Sequence, residues 1–129
     1  MAMSSTILNI SVDCADPWGL AQFWSQVLDL PVDPQNEPGD DEVGIPLGTG
    51  QDLLFLQVPE PKTVKNRLHL CLQPNGSRDE ETERLLSIGA TFVADHRNPD
   101  GTGWAVLADP EGNELCVLRS AAERRATGG

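Results

Sequence analysis

The chain predicts an α+β fold built from two copies of a βαβββ module, because three features recur in order along it. A segment of alternating polarity at residues 6–13 returns in the same phase at residues 67–73. Each copy is followed by a capped helix, then by short strands parted by Gly- and Pro-bearing turns. The segment PEPKTVKN, residues 59–66, forms a connector almost at the midpoint. Module 1 is thus about residues 6–58, module 2 about 67–119, and residues 120–129 a frayed tail, all within a single domain of 129 residues.

The elements follow from local chemistry. In residues 6–13, Leu8, Ile10 and Val12 share one face, with Ile7, Asn9, Ser11 and Asp13 on the other. Asp16 followed by Pro17 starts a helix, since a carboxylate caps free amides and proline loses no hydrogen bond at the first helical position. Leu20, Ala21, Trp24, Val27 and Leu28 form its apolar stripe, and Pro31 ends it. Residues 33–41 read as an acidic loop, 42–47 as an edge strand because Pro46 cannot donate, and 53–58 as an apolar strand.

The second half repeats this order. Leu68, Leu70 and Leu72 oppose Arg67, His69, Cys71 and Gln73. Ser77 with Glu80 gives a capping box for a helix through Leu85, Leu86 and Ile88, and Gly89 suits its left-handed end. Strands are expected at 90–94, 104–108 and 114–119, with a polar loop, HRNPDGTG, between the first two and a turn, DPEGN, between the last two.

An offset of 60 residues places Asn9 on His69 and Leu47 on Leu107, and an offset of 61 places Phe55 on Cys116. The repeat is one of element order and strand phase rather than of identity. Side by side, two such modules predict a curved eight-stranded mixed sheet around a cleft. The helices would cover its convex face through Leu8, Ile10, Val12, Leu68, Leu70 and Leu72.

Composition narrows the function. Twenty Asp and Glu against nine Lys and Arg give a net charge of −11, which disfavours nucleic acid and an anionic membrane face. A neutral or cationic small ligand meets no such repulsion. Three cysteines without CxxC spacing exclude a disulfide framework, and no segment has the roughly 18 apolar residues of a membrane helix, so a reduced, cytoplasmic protein is expected.

The segments VDCADPWGLAQFWSQVLDL, NRLHLCL, ERLLSIGATFV and GTGWAVLADPEGNELCVL resemble the vicinal oxygen chelate superfamily over residues 6–119. This is the glyoxalase, bleomycin-resistance and extradiol dioxygenase group, and the likeness is to its short glyoxalase-like members. The resemblance implies a divalent ion held by His or Gln, Glu, His and Glu on the first and last strands of each module. The corresponding positions here hold Asn9, Phe55, His69 and Cys116, so the usual metal centre is expected to be missing and no cofactor to be bound. His69 and Cys116, with Cys71 on the same strand face as His69, leave two other options: a zinc or copper site, or a thiolate nucleophile activated by His69.

The expected ligand cleft comprises Asn9, Ser11, Phe55, Arg67, His69, Cys71, Trp104, Cys116 and Leu118. Phe55, Trp104 and Leu118 could stack on a planar ligand, whereas a cleft plugged by Trp104 and Phe55 would leave a mere interaction module. Ser11, Asp13, Arg67 and Gln73 could orient a ligand, Trp18, Phe23 and Trp24 read as core or dimer contacts, and His96 as a loop surface residue. The chain is thus read as a small-molecule-binding protein with a degenerate metal quartet, forming a homodimer by the same resemblance. The alternative is a metal-dependent or His/Cys-based lyase, isomerase or dioxygenase of that superfamily, with His69 and Cys116 catalytic.

Overall fold

The structure is a computed structural model that describes residues 3–128. Residues 1, 2 and 129, the last of them part of the expected frayed tail, lie outside the described residues. The chain divides into two compact units, one ending at Pro61 and the other beginning at Lys62, so the boundary falls within the expected connector.

The first unit contains β1 (Asn9–Cys14), α1 (Pro17–Leu28), β2 (Glu42–Pro46) and β3 (Asp52–Gln57). Asp16 caps α1 by accepting the Gly19 amide at 3.2 Å, and Asp29 closes it in the left-handed conformation at φ 54°. The sheet order is β1-β3-β2, with β1 parallel and β2 antiparallel to β3. No strand forms between α1 and β2, where module 2 has one. Pro31 and Pro34 lack donors, and a single backbone bond from Asp33 N–H to the Gly44 carbonyl, 2.9 Å, is what pairing remains.

The second unit contains β4 (Leu70–Leu72), α2 (Arg78–Ser87), β5 (Thr91–Arg97), β6 (Gly103–Ala108), β7 (Glu114–Val117) and α3 (Ala121–Thr127). Its order is β4-β7-β6-β5, with β4 parallel to β7 and the other pairs antiparallel. Ser77 caps α2 by accepting the Glu80 amide, while its hydroxyl donates to the Glu80 carboxylate. β5 runs three residues past the expected 90–94 and carries a register shift between Phe92 and Ala94. The described part of the expected frayed tail is instead helix α3, because Ser120 and Glu123 make a reciprocal capping box. Among the described residues the strands thus number seven, in mixed sheets of three and four, within an α+β fold.

Each unit buries one face of its sheet, though not on the residues expected. In the first, Val43, Ile45, Leu53 and Phe55 of β2 and β3 are at most 2% exposed, and Leu20, Ala21, Phe23, Trp24 and Val27 of α1 complete the core. Phe23 and Trp24 meet edge to face at 5.6 Å and are core residues. In the second, Leu85 of α2 joins Ala105, Leu107, Leu115 and Val117, all 0% exposed. Leu8, Ile10 and Leu68, assigned by their alternation to the helix face, are 69%, 43% and 88% exposed. The reason is position: Leu8 and Leu68 precede β1 and β4, both of these are edge strands within their units, and the buried faces centre on the inner strands.

The β5–β6 turn is held from outside the sheet. Gly103 has φ +90°, and a Cβ there would lie 2.0 Å from the His96 carbonyl oxygen, so only glycine fits. Arg78, 5% exposed at the start of α2, donates through Nη1 to the carbonyls of Gly101, Thr102 and Gly103 at 3.3, 2.8 and 3.2 Å. Its Nε meets Asp79 at 3.0 Å, and Asp79 also accepts from Arg97. These arginines hold the Asp79 carboxyl below its ordinary range, against a smaller opposing effect of burial.

Candidate functional site

The candidate residues of the second unit fall on the sheet face opposite its buried core. β4 and β7 are parallel with Cys71 paired to Cys116, and Cys116 in turn faces Val106 of β6. His69 immediately precedes β4, and Leu118, just after β7, continues the pairing by donating its amide to the Leu72 carbonyl at 2.9 Å. The imidazole of His69 and the thiols of Cys71 and Cys116 have donor atoms within 4.8 Å of one another, and this set could hold a metal. Cys116 is buried, 7% exposed, whereas His69 and Cys71 are open to solvent. Burial first, then the adjacent Cys71 thiol, pushes the Cys116 thiol up to about 11. A thiol at that value is almost wholly protonated at neutral pH.

Trp104 lies farther along the same face. It is 42% exposed and stacks on His96, its register partner on β5, with ring centroids 5.0 Å apart and planes tilted 30°. His96 is therefore a strand residue beside the candidate aromatic, not a loop residue. The signal that could have found it is the extension of β-type sequence past Ala94, since an alternating run fits His96 opposite Trp104. Arg67 is exposed and precedes β4. Glu114, next to the cluster along β7, pairs with Lys65, which holds its carboxyl below the ordinary range.

In the first unit the Ser11 hydroxyl donates to Asn9 Oδ1 at 3.0 Å on the open side of β1. Phe55 does not join them. It is 0% exposed, pairs with Val12 and lies on the α1 side, while Leu54 pairs with Ser11. Because Cys71 corresponds to Ser11 and pairs with Cys116, the strand register matches Cys116 to Leu54 rather than Phe55. Neither Phe55 nor Leu54 carries a side-chain atom that can bind a cation.

A hollow of about 220 Å³ was not foreseen. It lies on the open face of β2 and β3, is lined by Asp33, Asn36, Glu42, Pro46 and Asp52, and has Gly44 and Leu54 as its floor. Gly44 permits this packing, since a Cβ there would come within 2.8 Å of the Leu54 side chain, and Asn36 Oδ1 accepts the Gly44 amide at 3.0 Å. The first 61 residues carry ten carboxylates and no Lys or Arg, a segregation readable from the sequence that would have pointed here.

No described helix is long and apolar enough to cross a membrane. Known proteins agree with this architecture. A glyoxalase/bleomycin resistance protein/dioxygenase family enzyme from Burkholderia phytofirmans PsJN is similar with a TM-score of 0.67 and 18% identity, over 88% of this chain and 97% of that one. The oxidase ChaP-H2 is similar at 0.63 and 26%, over 91% and 94%. Lactoylglutathione lyase from Agrobacterium tumefaciens is similar at 0.60 and 20%, over 89% and 93%. A search of curated proteins gave no match. The family model described as a glyoxalase-like domain matches residues 9–118, and the chain belongs to that family, within the vicinal oxygen chelate superfamily.

Proposed function

We propose that this chain is a glyoxalase-like small-molecule-binding protein whose family metal quartet is degenerate and whose ligand is neutral or cationic. The observation that carries this reading is the family position on β3: both candidates for it, Phe55 and Leu54, are hydrocarbon, so a substrate-activating ion of the family type lacks a ligand there. The preference for a neutral or cationic ligand is supported by the ten carboxylates and absent Lys and Arg of the first 61 residues, and by the acid-lined hollow on β2 and β3. A half-exposed Trp104 supplies an apolar wall on the open face of the second unit. Binding would gain about 25 cal/mol per Å² of apolar surface removed from water, before entropic costs.

The protein is further proposed to act as a homodimer in the cytoplasm. Pairing is supported by apolar side chains left open on and just before the edge strands, with Ile10 at 43%, Leu8 at 69% and Leu68 at 88% exposure. Native mass spectrometry of chelator-treated protein with a panel of aromatic amines and aromatic carboxylates tests both points. The expected result is a dimer that retains amines and releases carboxylates, with Trp104→Ala weakening retention about tenfold. Equal retention of both classes, or turnover of any amine, would overturn the reading.

A further inference from the structure

The second unit holds a donor set that the binding reading does not use. Cys71 lies on edge strand β4, His69 immediately precedes that strand, and parallel register sets Cys116 directly across from Cys71, with the donor atoms of all three within 4.8 Å of one another. We propose that His69, Cys71 and Cys116 form a site for one thiophilic cation of the zinc(II) class, contained wholly within the second unit and open to solvent on one side.

The chemistry selects the ion. Two sulfurs and an imidazole suit zinc or copper(I), whereas magnesium and calcium require oxygen. Glu114, the carboxylate nearest along β7, is engaged by Lys65. Tetrahedral zinc, with bonds near 2.3 Å to sulfur and 2.0 Å to nitrogen, sets its donors about 3.5–3.8 Å apart. The donors here lie within 4.8 Å, so closure by about 1 Å completes the geometry. Cys116 is a buried, fixed post, while the exposed side chains of Cys71 and His69 are the parts able to move. On binding, both thiols lose their protons to solvent, so one doubly charged cation replaces two protons and the cluster gains no net charge. Three protein ligands leave a fourth position open, the arrangement of reactive rather than purely structural zinc.

This inference is independent of the ligand reading, since it concerns a different donor set and a different probe. The test is titration of the reduced, demetallated full-length protein with cobalt(II), followed by competition with zinc. One equivalent of cobalt per chain, giving sulfur-to-cobalt charge-transfer absorption that zinc abolishes, is expected. Cys71→Ser should weaken zinc binding by more than about 100-fold, beyond the 10–100-fold that loss of a supporting contact costs, and His69→Ala by at least about tenfold. Both residues are exposed, so these variants keep the fold even where Cys116→Ser does not. Absence of the charge-transfer band, or zinc affinity unchanged in Cys71→Ser, would overturn the proposal.

Discussion

The two units share a plan and differ in chemistry. Each has a parallel pair formed by its first and last sheet strands, β1 with β3 and β4 with β7, a helix after the first strand, and one buried sheet face. Their open faces have little in common. The first unit presents Asn9, Ser11, Asp52 and Glu42, all oxygen-bearing, within a segment that has no basic residue, whereas the second presents an imidazole, two thiols and a stacked Trp104–His96 pair. The buried face is constrained by packing, so strand phase persists between the halves. The open face carries no such constraint, and there the halves differ.

The most forceful way to break that comparison is to truncate one aromatic on each kind of face. Phe55→Ala should cost about 3–5 kcal/mol of unfolding free energy, and Trp104→Ala less than about 1 kcal/mol, by denaturant titration. Similar losses at both positions would mean that the two faces do not differ in the way described. Arg78→Ala comes next at about 2–3 kcal/mol, since it strips a buried guanidinium from three carbonyls; accelerated amide exchange confined to the β5–β6 turn would localise the effect.

Alkaline titration sharpens the contrast within the second unit. The folded Cys116 thiol is raised to about 11, above the ordinary cysteine value of about 8.5. Its contribution to stability is complete below that ordinary value and is lost as pH rises to about 11. Melting curves from pH 8 to 11 should therefore fall more steeply for the wild type than for Cys116→Ala, and parallel curves would refute the assignment. The smallest effect is at acid pH. Asp95, held at about 2 chiefly by the side chain of Arg97, stabilises above the ordinary Asp value of about 3.9 and ceases to do so as pH falls through about 2. Asp95→Asn should flatten the acid limb of stability slightly, an outcome read from melting curves between pH 5 and 2.

Local signals were legible where the chemistry is local. Asp16–Pro17 and Ser77 set the starts of α1 and α2 because a cap needs only its own turn. The α3 cap obeys the same rule through Ser120 and Glu123, and reading the C-terminal segment by its polarity alone hid it. Alternation fixed which residues share a face but not whether a strand is inner or edge, so Leu8 and Leu68 were assigned to a core they do not enter. Phe55 shows the sharper limit: with a period of two, a slip of one residue exchanges the faces, and pairing alone supplies the register. The His69–Cys71–Cys116 cluster was foreseen in its members. Its closeness depends on the parallel register of β4 and β7.

The tail has a practical bearing on how the chain tolerates cutting. Glu123 Oε1 accepts the Ser120 amide at 2.9 Å and also the Arg78 amide at 2.7 Å, at the first turn of α2. A protease that clips after Arg119 would therefore remove an acceptor from a distant helix start and loosen the arginine that braces the β5–β6 turn. Damage at the C-terminal end would surface as fraying well upstream, around Arg78 and Gly103, rather than at the cut.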